Sequence, residues 1–135
     1  MKSGHQTVRD ISRMWNEALL RGEDLPLLML GDLLDDFRQR SSTPEEKLTL
    51  VRDAPEWLDV ETHADCNAYL AAVTETLCRE AAIPPPDWTE TPICYLHRPW
   101  FAGGLETLKA ILLVESPVPF RRRNLFVSAN ALARA

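Results

Sequence analysis

Arg121-Arg122-Arg123, followed by Asn124, are the residues of this chain best suited to hold an anion. Guanidinium groups pair with carboxylates or phosphates through parallel N–H donors, and a triplet in a turn points them in different directions. Unpaired buried charge is costly, so the triplet either faces a partner or meets acids inside the fold. Glu115 and the acidic first part of the chain are the internal candidates. A second pattern, His63-x-x-Cys66 with Cys94-x-x-His97, contains the imidazole and thiolate ligands of a tetrahedral zinc site. Its ligand order and gap match no familiar finger spacing. Cys66 also falls on an apolar helical stripe, where a thiol packs as a small hydrophobe. No metal or cofactor is therefore expected. Trp88 and Trp100, each near prolines, offer aromatic faces that either receive a peptide or clamp a loop to the core. Gly103-Gly104 lacks the Lys-Ser/Thr pair of a phosphate loop and reads as a turn. The chain has no Gly-x-Ser-x-Gly elbow, His-Glu-x-x-His helix or Cys-x-x-Cys pair, so no catalytic residue is assigned.

The charge is divided unevenly. From Tyr95 to Ala135 there are six basic against two acidic residues, whereas residues 1–94 carry nine against eighteen. Such asymmetry predicts a basic end that meets something anionic, in another molecule or in the chain's own acidic part. The overall charge of −5 argues against a general nucleic-acid binder, although a local basic patch remains compatible with one. At 135 residues, 45% hydrophobic and 26% charged, the chain suits a single globular domain over 1–135. That domain divides into an acidic helical part (1–83) and a Pro/Trp loop, helix and basic tail (84–135). The polar start, an odd number of cysteines and the lack of a bilayer-length apolar run predict a cytoplasmic protein with reduced thiols and no membrane span.

The elements that must position these residues read as helices. Val8, Ile11, Trp15, Ala18 and Leu19 form one apolar stripe that Gly22 closes. Asp24 is the expected N-cap of a second helix with Leu27, Leu30, Leu34 and Phe37 inside and Asp32, Asp35 and Asp36 in solvent. Thr43-Pro44-Glu45-Glu46 starts a short third helix. Thr62 and Asp65 resemble a capping box for the longest helix, about residues 62–82, which Pro84-Pro85-Pro86 ends. A fifth helix is expected from Leu105 to Val114, and a short sixth near Ser128 to Arg134. Asn124 to Ser128 is the single strand candidate. The expected fold class is all-α: a compact bundle of five or six helices with a packed, partly irregular C-terminal tail.

Pro99-Trp100-Phe101, Leu105 to Ala110, Glu115-Ser116-Pro117, Phe120 to Val127 and the closing Ala131 to Ala135 resemble the tail of a group of small bacterial proteins. The alanine-rich stretch Ala68 to Ala82 and the Pro-x-x-Trp segment Pro85 to Trp88 are similar to that group as well. The likeness is specific over residues 84–135 and loose over the first sixty. Members are often encoded beside a nucleotidyltransferase-like protein, in the manner of a toxin–antitoxin or enzyme–accessory pair. The resemblance implies a non-enzymatic accessory or antitoxin-like protein that binds a protein partner, and it carries over no active-site residue. A nucleic-acid-binding regulator using Arg121 to Arg123 is the second reading, and a small metal-dependent enzyme built on the His/Cys pattern the third.

Overall fold

The structure is a computed structural model that describes residues 6–102 and 112–133. Helix α1, Val8–Leu20, begins with a complete capping box: Thr7 Oγ1 accepts from the Asp10 amide, and the Asp10 carboxylate accepts from the Thr7 amide. Gly22, at φ +72°, closes it in a Schellman turn, in which the Glu23 amide reaches the Ala18 carbonyl and the Gly22 amide that of Leu19. Helix α2, Leu28–Gln39, starts later than Asp24 suggests. Its N-cap is Leu27, with no side-chain cap, because Leu25 packs against the core and Trp15 Nε1 donates to the Pro26 carbonyl. Helix α3, Pro44–Val51, has the Thr43 cap, the leading proline and the Glu46 counter-bond expected of its sequence.

Helix α4, Ala64–Glu80, is the hub of the molecule and packs against α2, two 3-10 turns (Asp87–Glu90 and Pro92–Cys94) and the tail elements. The Thr62/Asp65 box does not form. His63 is the N-cap, and the Thr62 hydroxyl donates instead to Asp59. Nor does the proline triplet end the helix. Ala82, at φ +57°, does so in a second Schellman turn, with the Ile83 amide on the Cys78 carbonyl and the Ala82 amide on that of Arg79. The tail then builds a two-stranded parallel pair, β1 Trp100–Phe101 beside β2 Leu125–Phe126. Between them, 112–115 are helical and α5, Val118–Arg121, forms one turn begun by Pro117. Most of the helix expected over Leu105 to Val114 lies outside the described residues. Residues 129–132 form turns rather than the expected sixth helix.

The architecture is all-α apart from that small sheet. Val8, Ile11, Trp15, Leu33, Phe37, Leu58, Leu70 and Leu77 share one core with Phe120, Leu125, Val127 and Leu132, so the tail is part of the domain. Asp36 departs from the expected solvated face. It is 3% exposed, holds Arg40 at 2.6 Å, and its carbonyl accepts from Ser41. Among the described residues no helix is long and apolar enough to cross a membrane.

Candidate functional site

The arginine triplet sits where α5 unwinds into β2. Successive turn bonds, Arg123 N–H to the Phe120 carbonyl and Asn124 N–H to that of Arg121, rotate the three side chains into different directions. Asn124 takes the left-handed conformation at φ +65°, which asparagine tolerates, and its amide group donates to the Leu96 carbonyl. Arg121 is exposed, and among the described residues it has no ion-pair partner. Arg122 is 35% exposed and Arg123 fully buried. Thus one sequence motif supplies one outward cation and two that turn inward.

The inward pair meets two carboxylates. Glu75, 1% exposed on α4, accepts on Oε1 from Arg122 at 2.8 Å and from Arg123 at 2.5 Å, and on Oε2 from Arg79 at 2.6 Å. Glu90, at the end of the first 3-10 turn, accepts from both Arg122 nitrogens at 2.8 and 3.0 Å and from Arg123 at 3.2 Å. Arg123 also donates to the carbonyls of Pro119 and Thr89. The Tyr95 ring lies 5.5 and 5.1 Å from the Arg122 and Arg123 guanidinium carbons, and its hydroxyl donates to Glu90. Arg123 Nε is buried without a hydrogen-bond partner.

The electrostatics follow from this geometry. Burial alone would raise the Glu75 carboxyl, but hydrogen bonds from Arg123, Arg79 and Arg122 overcome it and hold it below the ordinary glutamate value. The hydrogen bond from Arg122 is the main cause that brings Glu90 down to about 2. The Glu90 bond likewise raises Arg122. The cluster ties the tail to α4 and to the 3-10 turns, with three guanidiniums sharing two carboxylates.

Glu75, Glu90 and Tyr95 were not among the residues singled out in the sequence, although Glu75 left a signal. It is the sole charge between Cys66 and Cys78, in a helix buried on nearly every side. Glu115, the expected acid, is exposed and accepts from the Ala129 amide instead. Trp88 is buried, donates from Nε1 to the Val51 carbonyl at 2.8 Å, and stands edge-on to Trp57, so it offers no outer face. The residues His63, Cys66, Cys94 and His97 are not brought together, and no metal-holding group of three such side chains forms among the described residues. All three cysteines are free and buried; burial pushes the Cys66 thiol up to about 12 and that of Cys78 to about 11. Cys94 Sγ rests against the Trp88 carbonyl at 3.4 Å. Gly103-Gly104 lies outside the described residues.

Trp100 belongs to a different feature. With Trp15, Leu30, Leu34, Tyr69 and Leu132 it lines an apolar cleft of about 450 Å³ beside the α1–α2 connection. Leu27 both lines this cleft and is 62% exposed, while Leu20 and Leu28 on either side of the connection are 88% and 78% exposed. In comparisons with protein-family models, curated proteins and solved structures, nothing matched this chain.

Proposed function

We propose that this protein is a non-enzymatic, antitoxin-like accessory protein of the cytoplasm that binds a protein partner, a nucleotidyltransferase-like protein being the candidate. The carrying observation is the apolar cleft bordered by Leu27, next to the exposed Leu20 and Leu28. An exposed leucine, Leu27, in a cleft lined by two tryptophans and a tyrosine resembles the apolar centre of a protein interface, where large anchors exclude water. The nucleic-acid reading draws less support, since Arg122 and Arg123 are committed to Glu75 and Glu90 and Arg121 alone of the triplet points outward.

Co-purification of the tagged chain with the product of the neighbouring gene tests this reading. Stoichiometric capture that survives nuclease treatment is the expected result. Retention on nucleic acid that falls steeply with salt, with no captured protein, would replace it with the phosphate-binding reading.

A further inference from the structure

The cleft has a charge character as well as a shape. Along and just before the segment 25–34 that forms one wall, Glu23, Asp24 and Asp32 are exposed, and Asp65 lines the cleft itself. Among the described residues two basic ones adjoin it and both are paired: Arg21 with Glu23 at 3.0 Å, and Arg38, which also donates to the Leu132 carbonyl, with Glu80 at 2.9 Å. An apolar floor with exposed acids along one rim favours a segment with apolar anchors and basic residues on one flank. We infer that the cleft is the docking groove for a basic amphipathic segment of the partner protein, its apolar side on Trp15, Leu27, Leu34 and Trp100 and its Lys/Arg residues over Asp24 and Asp32. This deepens the partner-binding reading and rests on it.

Two alternatives fit less well. A small apolar molecule would fill the cavity but leave the neighbouring Leu20 and Leu28 in water. A second copy meeting this face by a two-fold axis would set acidic rim against acidic rim, which costs affinity. A basic segment gains on both counts: it covers the leucines and neutralises the rim.

The probes are two synthetic peptides of about 14 residues, or about four helical turns, with identical leucine spacing and either lysines or glutamates elsewhere. Their binding to the full chain is read by fluorescence anisotropy, with circular dichroism confirming the fold of each variant. The lysine peptide is expected to bind at least about tenfold tighter than the glutamate peptide. Leu27→Asp, at an exposed position, should weaken it about tenfold. The pair Asp24→Lys and Asp32→Lys should weaken it several-fold and flatten its salt dependence. Asp53→Lys with Asp87→Lys, an equal charge change at exposed positions after α3 and in the first 3-10 turn, should leave binding within about twofold.

Equal binding of the two peptides overturns the inference, as does equal loss in the distant charge pair. So does sedimentation showing that a second copy already covers the cleft. Capture of the protein partner that is undiminished by Leu27→Asp also overturns it, while leaving partner binding itself intact. Failure of any partner to bind while the lysine peptide still docks at the cleft would instead count against the candidate partner alone.

Discussion

At the scale of single residues, Arg123 and Glu75 decide the character of the tail. They are 0% and 1% exposed, so each depends on the other to offset the loss of hydration. Arg123→Met is expected to destabilise the protein by about 1–3 kcal/mol, because it takes one of three cations from Glu75 and leaves the Thr89 and Pro119 carbonyls without their donor, whereas Arg121→Met should change stability by less than about 0.5 kcal/mol. Urea unfolding of the two variants checks this, and similar midpoints would contradict it. Acid provides a second measure. Glu75 and Glu90 titrate lower in the folded protein than when unfolded, so their contribution is complete above about pH 4.5 and drains away as pH falls toward about 2. The urea midpoint should be level from neutrality to about pH 5 and drop below it, with a shallower drop in Glu90→Gln. Half of this cluster was legible: a lone charge in the run from Cys66 to Cys78 and a cationic triplet each call for a partner. Which arginine turns inward was not, since that depends on the α5 turn and on Asn124 at positive φ.

At the scale of elements, helix starts were read well where a side chain caps them and poorly where packing sets them. Thr43 with Pro44 and Glu46 makes a self-contained signal, and the helix begins there. Asp24 and Thr62 carry similar chemistry, yet α2 and α4 start at Leu28 and Ala64, since the preceding segments are held by other contacts. Asp36 misled for the same reason: a local charge pattern cannot show that Arg40 will fold over it. The end of α4 exposes an uncorrected strain. Ala82 occupies a left-handed position where a Cβ is unfavourable by roughly 1–2 kcal/mol, and the equivalent position after α1 is a glycine. Ala82→Gly is therefore expected to raise stability by about 0.5–1 kcal/mol. A thermal melt suffices to check it; a lower melting temperature would mean that the Ala82 methyl packs productively.

At the scale of the whole molecule, the tail and the first helices share one core. Phe120, Leu125, Val127 and Leu132 bury their side chains in the common core, each contributing roughly 1.5–3 kcal/mol, a sum that rivals the stability of a small domain. Ending the chain after Val118 should leave it aggregating or without a cooperative melt; a truncated form with an unchanged transition would show the tail to be an appendage. The all-α class was legible because leucine and alanine recur at helical spacing over most of the chain. The parallel pairing of β1 with β2 was not: two-residue strands carry no alternation, and only the tertiary path brings Trp100 beside Leu125. Nor was the cleft, whose walls come from α1, α2, α4 and the tail at once.

The distance between Glu75 and Arg123 along the chain also has a consequence during translation. Forty-eight residues separate them. At a synthesis rate of about 5–20 residues per second, α4 waits roughly 2–10 s on the ribosome with Glu75 matched by Arg79 alone. Throughout that interval the helix exposes apolar surface to chaperones and to neighbouring nascent chains. Slower decoding between residues 90 and 121 should thus reduce the soluble yield per cell, while the melting temperature of the finished protein stays the same.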